Sequence, residues 1–259
     1  ALDPPLPHPD DAVLSCGGAI AGATAGGRRV LVVTVFTADP VPPLSETAAA
    51  IHRDMGLDMS SAEARRLEDR EAASCIGAQL IQWDLPDAMY RRIPGTEDAL
   101  YAGRRDLFGS VRDEDAGTRD ALAGRIAALP PCRELWGPAG VGGHVDHRLV
   151  RQAMERSGRG PLLWYEDFPY AKKWRARAWV LHPWSHRLER TVPLDAPALD
   201  QKCDAILAYT SQVGPLFGGT AAMRATVERS ARRQGGERLW RNARLSSSAG
   251  GPGTMPPSA

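Results

Sequence analysis

Two short segments far apart in the sequence, Pro7-His8-Pro9-Asp10-Asp11 and Gly143-His144-Val145-Asp146-His147, restrict what this chain can fold into more than any other feature. Together they hold three histidines and three aspartates, bounded by proline or glycine. Neutral imidazole and ionised carboxylate are the side chains that bind a divalent cation such as zinc without thiolates. Within each segment two groups stand three positions apart, His8 with Asp11 and His144 with His147, so a helical first turn would aim both at one point. Three metal ligands would leave groups over for proton transfer, which is what separates a catalytic metal site from a structural one. A fold that serves this pattern has to bring both segments to one rim.

The alternation of elements supplies such a rim. Residues 1–7 are proline-rich, which limits them to a short strand ending at Leu6. A helix of small residues is expected over Val13–Ala25, opened by Asp11 and stopped by Gly26-Gly27. Val30–Phe36 reads as the clearest buried strand. Further expectations are a helix over Ala62–Ile76, a strand over Gln79–Trp83, an irregular stretch over 88–117 and a helix over Asp120–Leu129. A strand at Glu134–Trp136, a helix at Arg148–Arg156 and a strand at Leu162–Tyr165 follow. Strands at Trp179–Leu181 and Arg187–Val192 and helices at Leu199–Tyr209 and Ala221–Arg233 complete the series. Strands alternating with helices predict an α/β domain with a mostly parallel sheet, in which ligands collect at the carboxyl ends of strands. Both polar segments fall where a strand has ended and a helix begins.

Bulk properties narrow the function classes. A chain of 259 residues with 43% hydrophobic and 24% charged residues can bury a sizeable core, and its length suits one large domain as well as two. Its net charge of +1 gives no basis for a nucleic-acid partner. Cys16, Cys75, Cys132 and Cys203 form no CxxC pair and are expected to be free thiols in a cytoplasmic protein, Cys16 as a core residue. The longest apolar run, Val30–Phe36, is too short to span a bilayer, so no stable membrane insertion is expected. The tail from Ser246 lacks apolar content and is expected to be disordered.

With these residues in view, the chain resembles the PIG-L/LmbE-like family of zinc-dependent N-acetylglucosaminyl deacetylases. That family carries a His-Pro-Asp-Asp turn before a small-residue helix and a His-x-Asp-His motif well downstream, here His8–Asp11 and His144–His147. Supporting likeness lies in the Arg/Glu helix at 65–77, in Asp84–Asp87, in Tyr165–Tyr170 and in Glu237–Trp240. The resemblance implies an LmbE-like, three-layer Rossmann-like α/β domain over residues 1–245. It also implies a zinc ion held by His8, Asp11 and His147. Asp10 would be the general base, and protonated His144, oriented by Asp146, the oxyanion stabiliser. Asp87, Arg91, Met55, Met59 and Trp164 are candidate contacts to the substrate. The implied partner is a small-molecule glycoconjugate, as in family members that act on glycopeptide antibiotics in bacterial secondary metabolism. In place of the acidic residue that often follows the second aspartate this chain has Ala12.

Plainer readings stand beside each of these. Either motif alone is more often a solvated helix cap or a surface loop, and only the two in order are specific. Gly17-Gly18 and Gly22 have the wrong spacing for a dinucleotide loop and suit close helix packing. Any single tryptophan is more simply core than a sugar-stacking wall. The segment 41–60, with Met55, Leu57 and Met59, is either a lid over an apolar part of the substrate or a folded loop. Rival functions are an amidase that cuts an N-acyl sugar conjugate at another amide, and a sugar-binding module without turnover.

Overall fold

The apolar run expected to be the clearest buried strand is the middle of a parallel three-stranded sheet. The fold is given by a computed structural model, which describes residues 5–170 and 186–243 without the side chains of Pro5, Leu6 and Met55. The expected strand at Trp179–Leu181 and the tail from Ser246 lie outside the described residues. Strand β1 (Pro5–Leu6) and strand β3 (Gln79–Gln82) flank β2 (Leu31–Thr34), with Pro5 opposite Val33 and Leu31 opposite Gln79. Beyond β2 the run keeps only isolated pairing, Phe36 donating its N–H to Pro7 O and bridging to Asp84.

A second, four-stranded sheet runs in the order β4 (Leu135–Pro138), β5 (Leu162–Tyr165), β7 (Glu237–Asn242), β6 (His186–Val192). Its first two strands are parallel, whereas β7 is antiparallel to both β5 and β6. The protein is thus α/β, with one small parallel sheet and one small mixed sheet, and the expected mostly parallel Rossmann-like sheet is not confirmed. Strand β1 also lies alongside β4, so the sheets meet edge to edge.

Helix α1 (Asp11–Ala25) is buried over almost its whole first three turns, which explains its small residues. At Gly18 a Cβ would stand 2.7 Å from Leu194, as close packing predicted. The helix is interrupted at Cys16, whose φ of −140° is not helical. Two N–H groups just beyond the break, of Gly18 and Ala19, donate to the Glu237 carboxylate on β7 at 3.2 and 2.7 Å. Lys202 completes this buried cluster with its Nζ 2.5 Å from Glu237 Oε1.

The remaining helices are α2 (Glu46–Met55), α3 (Ser61–Cys75), α4 (Ala116–Ala127), α5 (Val145–Arg156), α6 (Ala196–Leu207), α7 (Thr210–Phe217) and α8 (Thr220–Gln234). Alternation along the strands divides the core. Trp136, Leu163 and Tyr165 join α1, α6 and α8 in one cluster, while Leu135 and Trp164 join α4 and α5 in another. Among the described residues no helix is long and apolar enough to cross a membrane. All four cysteines are free thiols, Cys16 fully buried among the α1 core residues.

Candidate functional site

Strands β1 and β4 lie against each other, and the segments that follow them converge. Pro7 to Asp10 connects β1 to α1, and the loop after Pro138 leads to His144, which takes the N-cap position of α5. Gly140, Gly142 and Gly143 all have positive φ in that loop, and a Cβ at Gly142 would stand 3.0 Å from Tyr170 Cβ. Close approach there requires glycine. The His8 ring then lies 5.1 Å from the ring of His144 and 5.6 Å from that of His147, centroid to centroid.

Asp11 Oδ2 sits 3.4 Å from both His8 Nδ1 and His147 Nε2. Ligand atoms of a tetrahedral zinc, each about 2.0–2.1 Å from the ion, are themselves separated by ~3.3 Å. Two of the three separations thus match a tetrahedral site, and the donor atoms of His8, Asp11 and His147 all lie within 4.8 Å of one another, so the three residues could hold a metal ion. His8, His144 and Asp146 form a second such group. There, however, Asp146 is already engaged by Arg91 at 2.6 Å and by the Ala88 N–H at 3.0 Å.

Carboxylates steady the far side of both imidazoles. His147 Nδ1 donates to Asp167 Oδ1 at 2.6 Å, and Asp167 Oδ2 accepts from the Val141 N–H at 2.7 Å. His8 Nε2 lies 2.9 Å from Asp146 and 3.2 Å from Asp87. Such partners fix ring orientation and tautomer in metal sites. Asp167 was not singled out in the sequence, because its role depends on the β4–β5 pairing that brings Tyr165-Glu166-Asp167 beside the glycine loop.

Asp10 is the sole non-glycine residue with positive φ among the described residues, at 104°. It stands at the N-cap of α1 yet makes no capping hydrogen bond, so its carboxylate is left to the site. Backbone strain of this kind costs about 1–3 kcal/mol and collects at functional sites. Burial, then the neighbouring charge of Asp11, pushes the Asp10 carboxyl up to about 7, against the pull of Arg65 at 3.9 Å. Burial acts upward on Asp11 too, but the charge of His147 and the hydrogen bond from His8 outweigh it and hold the carboxyl down to about 2. One aspartate is thus an anion fit to hold a cation, and the other a group poised to exchange a proton.

For His144 the sequence expectation needs revision. Burial pushes its imidazole down to about 4, so the ring is neutral rather than protonated. Its Nδ1 accepts the Asp146 N–H at 3.3 Å, which leaves the ring proton on Nε2. The Asp146 carboxylate is 3.9 Å from His144 Nδ1 and serves His8 instead, so its expected part in orienting His144 comes through its backbone N–H.

These groups form the floor of a cleft of about 300 Å³, which is also lined by Arg65, Asp87 and Met89. Asp87, a predicted substrate contact, therefore reaches it. Three others do not. Arg91 is buried between Asp146 and Asp115, Trp164 is wholly buried with its Nε1 donating to Asn242, and Met59 is exposed to solvent. Met55 ends α2, and its side chain lies outside what is described. From the expected lid segment it is Ile51 and Leu57 that line the cleft.

Fold and site together define an α/β protein with a candidate metal centre at the carboxyl ends of two neighbouring strands. Residues 6–157 match the family described as PIG-L: GlcNAc-PI de-N-acetylase, and the chain belongs to that family. It is 31% identical over 235 residues to 2'-N-acetylparomamine deacetylase of Niallia circulans, covering 83% of this chain and 82% of that protein. Among solved structures, it is similar to a deacetylase in complex with teicoplanin, at 28% identity and TM-score 0.74 over 93% of this chain and 96% of that one. It is also similar to the zinc-inhibited form of teicoplanin deacetylase Orf2, at 26% identity and TM-score 0.72 over 93% and 97%.

Proposed function

We propose that this chain is a zinc-dependent deacetylase that hydrolyses the N-acetyl amide of an aminosugar unit in a glycosylated natural product. The observation that carries the reading is the arrangement of His8, Asp11 and His147 within 4.8 Å of one another, on the floor of a cleft that Asp10 and His144 share. Family membership and deacetylases among the similar proteins, one crystallised in a zinc-inhibited form, support it. Zinc bound there supplies a Lewis acid for the amide carbonyl and lowers the pKa of water.

The chain's own groups account for the proton movements. Asp10, in its ionised form, accepts a proton from the attacking water as the C–O bond forms. The His144 Nε2–H donates to the oxygen that gains negative charge in the tetrahedral state, where a preorganised donor counts most. Asp10 then returns the proton to the departing nitrogen as the C–N bond breaks, giving acetate and a free amine. Neutral His144, with its pKa near 4, is the wrong group for that second transfer.

The test is acetate release from acetylated aminosugars by the purified protein, as prepared, after chelation and after zinc is restored. Activity that vanishes with chelation and returns with substoichiometric to equimolar zinc is the expected outcome. Hydrolysis that persists in fully stripped protein would remove zinc from the reading, and release of sugar without acetate would remove deacetylation.

A further inference from the structure

Above its charged floor the cleft changes character. Leu57 follows α2, Leu107 and Phe108 lie on the 3-10 turn Asp106–Phe108, Phe168 follows β5, and Leu216 belongs to α7. Four separate segments thus present apolar side chains to one opening. Phe108 is 53% exposed, and its ring stands edge-on to His144 at 5.3 Å, so it borders both the wall and the reacting end. A large aromatic left this exposed at a cleft mouth is suited to cover an apolar surface.

Charge on the same walls points one way. Arg65 and Arg104 both line the cleft, and Arg104 is paired with the exposed Asp54 carboxylate. Among the described residues the aspartates that line it are Asp10, Asp11 and Asp87, and no glutamate does. Each of those aspartates is already engaged: Asp11 and Asp87 lie 3.4 and 3.2 Å from ring nitrogens of His8, and Asp10 lies 3.9 Å from Arg65. A polycation entering the mouth would shed water beside two guanidinium groups with no unengaged carboxylate to meet it.

We infer that the site takes an acetylated aminosugar whose attached group is apolar and uncharged, aryl or alkyl, and discriminates against a polycationic aminocyclitol. The inference rests on the deacetylase reading and narrows its substrate class. It sets this chain apart from the Niallia circulans relative, named for an acetylated paromamine. The floor holds the acetamide end, and the wall from Leu57 to Leu216 covers the aglycone.

Three substrates with the same acetylated glucosamine unit decide it: the octyl glycoside, the methyl glycoside and 2'-N-acetylparomamine. Burial of one large apolar group is worth roughly 10- to 100-fold in affinity. The expected order of kcat/KM is octyl above methyl by at least about tenfold, through KM, with the aminocyclitol lowest. Leu57→Ser with Phe108→Ser should shrink the octyl-to-methyl ratio toward one, and Arg104→Gln should raise kcat/KM for the aminocyclitol. Equal rates on octyl and methyl glycosides, or preference for 2'-N-acetylparomamine, overturns the inference while acetate release keeps the deacetylase reading. Calorimetric binding of octyl and methyl glucosaminides separates the two claims in the other direction. Tighter octyl binding without any acetate release would sustain the apolar site and discard deacetylation.

Discussion

Asp10 combines three unusual properties in one residue: positive φ, an unused N-cap carboxylate, and a pKa pushed up to about 7. Asn tolerates positive φ nearly as well as Asp, so Asp10→Asn removes the proton acceptor without a new backbone penalty. Its rate should fall about a hundred- to ten-thousandfold with zinc content unchanged. Metal analysis beside single-turnover kinetics checks both halves, and an active, metal-replete variant would end the base assignment. Loss of the supporting carboxylate in Asp167→Asn should instead weaken zinc binding about 10- to 100-fold. His144→Ala should retain zinc and lose rate, because only stabilisation of the developing oxyanion goes. Zinc titration of the two variants reads this split. A His144→Ala protein that loses its metal would favour the second ligand group, with Asp146, over the first.

At the scale of elements, the break in α1 joins the site to the far sheet. The residues before it carry Asp11 and Ser15, whose Oγ accepts the Phe168 N–H at 3.2 Å. Residues beyond it are held by Glu237. Removing that carboxylate leaves Lys202 buried without its partner and two N–H groups unsatisfied, so Glu237→Ala should cost about 3–5 kcal/mol. Denaturant unfolding checks it, and a loss under 1 kcal/mol would mean the cluster is incidental. Elements with clean periodicity were legible in the sequence: α1, α3, β3, β5 and α8 lie within a few residues of expectation. Helix α2 was hidden by the prolines before it, although Ser45 accepts from the Ala48 N–H as a plain N-cap and Gly56 ends the helix. Helix α7 contains Gly214 and Pro215, which argue against a helix until tertiary contacts override them. The polar segments could be paired from the sequence because both carry metal-type ligands. Arg91 and Trp164 do not line the cleft because both are buried, and burial leaves no local signal in the sequence.

For the whole molecule, a metal at the candidate site would tie together elements that are distant in sequence. His8 and Asp11 follow β1, whereas His147 lies on α5 beyond the second sheet's first strand. A ligand that binds only the folded state stabilises it by about 2.7 kcal/mol at a hundred times its dissociation constant. Zinc added to chelated protein should therefore raise Tm by several degrees and steepen the transition. The His147→Ala protein should show almost none of that rise. Equal shifts in both proteins would mean that zinc binds elsewhere on the chain.

The interruption at Cys16 has a use at the bench. Its thiol is wholly inaccessible, and burial pushes its pKa well above that of an ordinary cysteine, so alkylating reagents should pass it by in the native protein. Any labelling has to wait until the two halves of α1 part from each other and from β7. Mass-resolved alkylation at Cys16, timed with and without zinc, becomes a clock for that parting. It would time how often the joint beneath the reacting groups comes undone.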